Sequence, residues 1–177
     1  MLVGICLKLV FALWSLVRLV KIAELTEIII SDDCSNDKTF EIIKAKVALY
    51  EGPHRIVINK TEFNKCILGH FYNIIDIAKG GLLVLAAGDD ISYPDRVKLL
   101  ADVWSASYNT CGVISNYDLI DVEGKITESN CSPNPASVLV EDVFGKLGFP
   151  DVHGAGSAYD MAFVRKLKRY HNRSYFE

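Results

Sequence analysis

The chain has 177 residues, enough for one domain with a hydrophobic core but too few for two comfortable ones. Hydrophobic residues make up 50% of it and the formal net charge is -3, so the basic excess typical of nucleic-acid-binding proteins is missing. Five widely spaced cysteines without a CxxC pair argue against a disulfide framework or a zinc site. Such usage suits a reducing compartment. We therefore expect a cytoplasmic protein that binds no nucleic acid.

The first 22 residues are almost entirely apolar and are interrupted by Lys8, Arg18 and Lys21. The longest uncharged run after Lys8 covers residues 9–17, which is short of the about 20 residues that a helix needs to cross a bilayer. The small-residue cleavage site that a signal peptide requires is not evident. We treat residues 1–23 as an apolar leader and expect a buried or surface-docked element, with peripheral membrane association and a signal segment as alternatives.

From residue 24 onward, short apolar runs alternate with amphipathic stretches. The predicted strands are residues 26–30, 54–58, 82–86 and 113–115. The predicted helices are residues 38–50, residues 65–79, a helix that begins at Pro94, and residues 138–147, and residues 121–124 resemble a turn. Strands that alternate with helices predict an α/β domain with a mostly parallel sheet flanked by helices. In such sheets, ligands bind at the carboxyl ends of the strands.

Two pairs of acidic residues directly follow predicted strands. Asp32 and Asp33 come after the first strand, and Asp89 and Asp90 come after the third. Carboxylates that meet at one edge of a sheet repel one another unless a cation neutralises them. Mg²⁺ and Mn²⁺ prefer oxygen ligands and typically combine one or two carboxylates with substrate phosphates. The two pairs together predict a metal diphosphate ligand, whereas the alternative for either pair alone is a turn or a helix cap.

Two segments carry a resemblance to a known family. EIIISDDCSNDKT, residues 27–39, resembles the segment written EIIVVDDGSTDGT in family 2 glycosyltransferases. LLVLAAGDDISYPDRV, residues 82–97, resembles that family's metal-binding strand end, whose pattern is often DxDD followed by a proline. Trp104, Ser115, Asn116 and the turn at residues 121–124 resemble features of a bacterial subgroup that carries GDDI. The resemblance covers residues 27–124 well and 153–177 weakly. It implies a Rossmann-like GT-A domain over residues 24–177, with the donor-binding part at about 24–124 and a partial acceptor part at about 125–177.

The resemblance implies roles for residues on the donor side. By position, Asp33 contacts a uracil-type base, Asp32 supports the loop that holds it, and Ser35 belongs to the same nucleotide-sugar-binding segment. Asp90 and Asp89 hold a Mn²⁺ or Mg²⁺ ion, and Asp89 also contacts the nucleotide sugar. The expected donor is therefore a nucleotide-diphosphate sugar with a uridine or thymidine base.

On the acceptor side the resemblance is weaker. The segment that begins with His153, Gly154 and Ala155 is similar to the family's small-residue acceptor segment, where glycines let the backbone approach a sugar closely. The family's general base is the Asp of a Glu-Asp pair after this segment, and no matching Asp is present. Glu177 and Asp160 are weak candidates for that base.

Two further departures from the family's pattern concern the donor side. The family's opening strand, with its P-x-Y-N turn, is absent, and the apolar leader occupies its place. Ala87 stands where many members have the first Asp of DxD. Together with the missing base, these departures predict an incomplete GT-A domain, altered at both ends, that binds its donor weakly and transfers sugar slowly or not at all.

The resemblance implies inverting, metal-dependent transfer of a sugar to a hydroxyl of a sugar or lipid-linked acceptor, in cell-surface polysaccharide or glycan synthesis. The metal neutralises the departing diphosphate, and a carboxylate base deprotonates the hydroxyl. This reaction is expected in the cytoplasm, at the inner face of the membrane. The first alternative is a degenerate, non-catalytic module. The second is a phosphoacceptor receiver domain, because IIISDD resembles its acidic pair, although the later strand-end Lys is missing.

Overall fold

The computed structural model describes residues 2–7, 27–88, 90–131 and 156–174, which form eight strands and four helices. The strands are β1 Leu2–Leu7, β2 Glu27–Asp32, β3 Arg55–Lys60, β4 Leu82–Ala87, β5 Gly112–Ile114, β6 Tyr117–Ile120, β7 Ile126–Cys131 and β8 Ser157–Asp160. The helices are α1 Thr39–Val47, α2 Cys66–Ile77, α3 Arg96–Ala106 and α4 Met161–Ser174. Each element predicted in the described part is confirmed, with ends that differ by at most three residues. The helix predicted at residues 138–147 lies outside it.

The six-stranded sheet has the order β3-β2-β1-β4-β8-β5. β3, β2, β1 and β4 are parallel neighbours, and β8 runs antiparallel between β4 and β5. The predicted mostly parallel α/β sheet is therefore confirmed. A receiver domain has the order 2-1-3-4-5, so the receiver alternative is wrong. β6 and β7 form a separate antiparallel hairpin, and the predicted turn between them is closed by the Gly124 N–H, which donates to the Asp121 carbonyl at 3.0 Å.

β2 and β4 are apolar on both sides because helices cover both faces of the sheet. Side chains alternate between the faces, so Ile28 and Ile30 contact one layer and Ile29 contacts the other. The first layer contains Ile43, Leu82, Val84, Val97 and Leu100. The second layer contains Ile74, Ile75, Leu83, Met161 and Val164. Burial of each large side chain contributes about 1.5–3 kcal/mol, which makes the sheet a stable platform for the residues at its edge.

β1 shows that part of the apolar leader belongs to the sheet. It lies between β2 and β4, with Leu7 opposite Asp32 and Cys6 opposite Ala87. The expectation that the opening strand is absent is therefore wrong, because a central strand needs only a short apolar run between two partners, which LVGICL provides. The remainder of the leader, residues 8–23, lies outside the described residues. None of the helices in the described part of the chain combines the length and the hydrophobicity that a membrane span requires.

Two basic side chains hold α4 against α2. Arg165 donates through Nη2 to the Ala78 carbonyl at 2.7 Å, just after α2 ends. Lys168 donates through Nζ to the Tyr72 carbonyl at 3.2 Å and forms an ion pair with Asp76. Cations are favourable near the C-terminal end of a helix because the carbonyls there lack partners within the helix. The pairing fixes α4 on the face of the sheet that α2 covers.

Candidate functional site

The carboxyl ends of β1, β2 and β4 share one edge of the sheet because the three strands are parallel. β2 ends at Asp32, opposite Leu7 at the end of β1, and Ala87 at the end of β4 lies opposite Cys6. Neighbouring strands are about 4.8 Å apart, so the segments that follow β2 and β4 are separated by roughly 10 Å across the end of β1. The structure thus brings both acidic segments to one edge.

Asp32 is fully buried, and its carboxylate is engaged within the protein. It accepts hydrogen bonds from the Ser35 backbone N–H at 3.2 and 3.3 Å and from the Ser35 hydroxyl. Lys60 Nζ lies 3.5 Å from Asp32 Oδ2 and donates to the Ser35 carbonyl at 2.9 Å. These contacts close residues 32–35 into a turn. The side chains of Asp32 and Ser35 therefore stabilise the conformation of the loop.

Asp33 is half-buried and joins this turn to α2. Its Oδ1 accepts a hydrogen bond from Thr61 Oγ1 at 2.9 Å, and the Lys65 backbone N–H bridges Oδ1 and Oδ2 at 2.9 and 3.1 Å. Lys65 immediately precedes α2, where unpaired N–H groups and the helix dipole favour an anion. A carboxylate can accept about four hydrogen bonds, so Asp33 Oδ2 retains capacity for an incoming N–H group.

A buried polar network lies next to these two carboxylates. His70 of α2 is fully buried, and its Nε2 lies 2.6 Å from the Ser31 hydroxyl of β2. Asn59 of β3 donates through Nδ2 to the Ser31 hydroxyl and to Asn73 Oδ1, each at 2.8 Å. Burial lowers the pKa of His70, and the attraction of the two aspartates only partly offsets this effect. The network, which sequence reasoning missed, ties β2, β3 and α2 together where the acidic loop begins.

Cys34 adopts a backbone conformation that favours glycine, with φ 61°. The aligned position of the segment EIIVVDDGSTDGT is a glycine. A residue with a Cβ atom in this conformation costs roughly 1–2 kcal/mol. The Cys34 thiol lies 3.4 Å from the Glu62 carbonyl. A thiol is a weak hydrogen-bond donor, so this contact offsets little of the conformational strain. The loop therefore has the backbone conformation of a glycine turn at a position that cysteine occupies in this sequence.

We expect Cys34→Gly to raise the free energy of unfolding by about 1 kcal/mol, because glycine adopts a positive φ without strain. Urea denaturation followed by circular dichroism measures the change. Cys34→Ala is the matched control, since it removes the thiol and keeps the Cβ atom, and it should bring no gain. Equal stabilities of the glycine and alanine variants would show that the backbone at this position is unstrained.

The loop after β4 carries the second acidic segment. Asp90 is exposed. Arg96, the first residue of α3, extends back to β4 and donates through Nη2 to the Leu85 carbonyl at 2.9 Å. Burial lowers the pKa of Arg96 to about 10, and the negative charge of Asp90 acts in the opposite direction. Arg96 Nη1 is buried and has no hydrogen-bond partner among the described residues.

Tyr93 connects the same loop to the β6–β7 hairpin. Its hydroxyl donates to Asp118 Oδ2, and the Asn130 N–H donates to Asp118 Oδ1 at 2.7 Å. The hydrogen bond raises the pKa of Tyr93 and lowers the pKa of Asp118, because it favours the neutral phenol and the charged carboxylate. The hairpin therefore steadies the loop that contains Asp90.

Residues 8–167, most of the chain, match the family model described as glycosyl transferase family 2. The chain belongs to this family. A curated relative, "Putative glycosyltransferase EpsE" of Bacillus subtilis (strain 168), is 33% identical over 72 residues, which are 41% of this chain and 25% of the relative. The family 2 assignment agrees with the two segments that carry the resemblance.

Solved structures share the fold of this family 2 chain. S. aureus TarS 1-349 matches at a TM-score of 0.63 and 16% identity, over 94% of this chain and 49% of TarS 1-349, and its complex with UDP-GlcNAc matches at the same TM-score and identity, over 95% and 48%. Mannosyltransferase PcManGT from Pyrobaculum calidifontis, in complex with GDP-Man and Mn²⁺, matches at 0.63 and 14%, over 94% of this chain and 46% of PcManGT. The likeness shows a GT-A, Rossmann-like fold, and the chain spans about half the length of these structures.

The family 2 fold places Asp160 away from the acidic edge. Asp160 pairs with Leu82 at the start of β4, whereas Asp90 follows the end of that strand. The length of β4 separates the two positions by roughly 20 Å. Asp160 Oδ1 accepts the Phe163 N–H at 2.9 Å and caps the first turn of α4. The structure therefore does not bring Asp160 to the site, and its helix-capping role argues against it as a base.

Of the two predicted metal ligands, Asp90 lies among the described residues and Asp89 does not. In the described ranges there is no group of three or more His, Cys, Asp or Glu side chains that could hold an ion. Asp90 contributes one exposed carboxylate, the type of oxygen donor that Mg²⁺ and Mn²⁺ prefer, and these ions complete their shell with substrate phosphates and water. The donor set therefore fits a cation that binds together with a diphosphate. The other predicted site residues, Asp89, His153, Gly154, Ala155 and Glu177, lie outside the described residues.

Proposed function

We propose that this chain carries the donor-binding half of an inverting, metal-dependent glycosyltransferase that takes a sugar from a nucleotide-diphosphate sugar. The observation that carries the proposal is the placement of Asp33 and Asp90 on either side of the end of β1, in a member of glycosyl transferase family 2. The carboxyl edge of a parallel sheet is also where α/β proteins bind nucleotides. A separation of roughly 10 Å suits a base on the Asp33 side and a diphosphate on the Asp90 side.

Asp33 recognises the base in this proposal. Thr61 and the Lys65 N–H hold its carboxylate in place, and Oδ2 accepts the ring N–H of a uracil or thymine. The hydrogen bonds between Asp32 and Ser35 stabilise the conformation of this loop. The TarS complex with UDP-GlcNAc supports a uridine donor, while the PcManGT complex with GDP-Man makes guanine the alternative base.

Asp90, together with Asp89, would hold a Mn²⁺ or Mg²⁺ ion. The bound ion supplies positive charge to the departing nucleoside diphosphate. Asp90 is exposed, so solvent can reach its carboxylate. The hydrogen bond between Tyr93 and Asp118 restrains the loop that contains it. The presence of Mn²⁺ with GDP-Man in the PcManGT complex supports this assignment.

The acceptor is a hydroxyl of a sugar or lipid-linked glycan in cell-surface polysaccharide synthesis, at the cytoplasmic face of the membrane. We assign acceptor binding to the segment with His153, Gly154 and Ala155 because it resembles the family's acceptor segment. A carboxylate base takes the proton of the hydroxyl as its oxygen attacks the sugar from the face opposite the diphosphate, which inverts the configuration. Because Asp160 caps α4 instead, a second candidate function is a donor-binding module that does not catalyse transfer by itself.

Isothermal titration calorimetry with UDP, dTDP and GDP, each in Mn²⁺ and in EDTA, tests the proposal. We expect Mn²⁺-dependent binding that Asp33→Asn weakens by about tenfold or more, because the amide presents a donor where the base needs an acceptor. Asp102→Asn removes the same charge from an exposed position of α3 and is the matched control. Absence of binding to the folded protein under every condition would contradict the proposal.

Release of UDP from a UDP-sugar separates the two candidate functions. A transferase releases UDP when a suitable acceptor hydroxyl is added, whereas the non-catalytic module binds the donor and releases none. We expect any release from this chain to be slow, because Asp160, the described candidate for the base, caps α4 at the other end of β4. Complete absence of release in the presence of bound donor and acceptor would favour the non-catalytic module.

A further inference from the structure

Arg96 is a fixed cation on the metal side of the proposed donor site. The hydrogen bond from its Nη2 to the Leu85 carbonyl holds the guanidinium against β4, the strand that leads to Asp90. Burial disfavours the positive charge, and Asp90 is the negative group that opposes this effect. The side chain is thus a largely immobile positive charge that interacts with the carboxylate assigned to the metal.

The second terminal nitrogen of the guanidinium, Nη1, is buried without a hydrogen-bond partner among the described residues. A buried N–H group without a partner costs free energy, so proteins usually pair such groups. The forked guanidinium allows Nη2 to hold the strand while Nη1 stays available to a second acceptor. Nη1 therefore has hydrogen-bonding capacity that no described residue uses, next to the strand that leads to Asp90.

We propose that Arg96 is a positioning residue that makes metal binding at Asp90 depend on the nucleoside diphosphate, an inference that rests on the proposed donor-binding function. Without a diphosphate, the guanidinium offsets the charge of Asp90 and competes with a lone divalent cation. A nucleoside diphosphate carries more negative charge than one divalent cation neutralises, and Arg96 then attracts the loaded pair. The same side chain therefore weakens binding of the metal alone and strengthens binding of the metal with its diphosphate.

Electron paramagnetic resonance of free Mn²⁺ gives the affinity of the protein for the ion without a catalytic assay. The affinity is measured for the protein alone and with saturating UDP, and the ratio of the two values is the coupling between metal and nucleotide. Arg96→Gln removes the charge but keeps a donor for the Leu85 carbonyl, and Arg96→Lys keeps the charge. We expect the coupling to fall by about tenfold in Arg96→Gln, with lone Mn²⁺ bound at least as tightly as in the wild type, and to recover in Arg96→Lys.

Lys98→Met is the matched control, because it removes a positive charge from the same helix at a position paired with Asp102. Arg96→Met serves as a second neutral variant, and thermal melting identifies any variant that fails to fold. Unchanged coupling in a folded neutral variant would overturn the inference and leave the proposed function intact. Failure of the wild type to bind Mn²⁺ with UDP would instead overturn the proposed function, and this inference with it.

Discussion

Asp90→Asn is expected to weaken the Mn²⁺-dependent binding of UDP by about 100-fold and to leave the binding measured in EDTA unchanged. Asparagine keeps the size and one oxygen of the aspartate but loses the charge that a divalent cation favours. Asp90 is exposed, so the substitution should alter the melting temperature very little. A large change confined to the metal-dependent part of binding would therefore reflect ligation and not folding.

Calorimetric titration of UDP in Mn²⁺ and in EDTA measures both parts of this result. Asp95→Asn is a close control, because Asp95 is exposed, lies in the same loop and carries the same charge. If the two substitutions caused equal losses, the overall charge of the loop would explain the effect and Asp90 would not be a metal ligand. The role of Asp33 is tested separately by the Asp33→Asn variant.

Asp32→Ala is expected to lower the free energy of unfolding by about 3 kcal/mol, because it removes a buried, paired carboxylate. The Ser35 N–H and hydroxyl would lose their acceptor, and Lys60 would lose its buried partner. The loop that presents Asp33 would then lose its support, so nucleotide binding should weaken as well. Asp32 thus contributes to nucleotide binding indirectly, because it stabilises the loop that presents Asp33.

Urea denaturation measures this loss, and Asp76→Ala provides the contrast. Asp76 also pairs with a lysine, Lys168, but its side chain is 61% exposed where that of Asp32 is 0% exposed. Exposed ion pairs contribute at most about 1 kcal/mol, so the same substitution should cost far less there. Similar losses for the two variants would contradict the buried, fully bonded state of Asp32.

The elements of the donor side were predictable because each has a clear local pattern. Residues 28–30 and 82–84 are continuous apolar runs, and α2 repeats apolar residues at helical spacing. The strand-end rule then placed the two acidic segments on a common edge, and the register of β1 with both neighbours agrees. β1 itself was not predictable, because six strand residues within a longer apolar stretch have no local signal for their ends.

Interactions between distant residues were beyond sequence reasoning. His70 lies 39 positions from Ser31, and a helical pattern marks it only as a residue of α2. Arg96 looks like an exposed residue at a helix start, and only the fold places its guanidinium on the Leu85 carbonyl. β7 is largely exposed, so its sequence lacks the alternation of buried and exposed residues that predicts a strand. It is a strand because it pairs with β6.

β5 is an edge strand whose neighbour in the sheet is β8, although Gly112 and its partner Tyr159 are 47 positions apart. A ribosome that has completed residues 112–131 has therefore released one strand of the sheet before its partner exists. Long-range pairing of this kind slows folding, and open strand edges invite association with other chains. The sheet reaches its full width only when residues 157–160 have been synthesised, and until then the edges of β4 and β5 that β8 covers have no partner in the sheet.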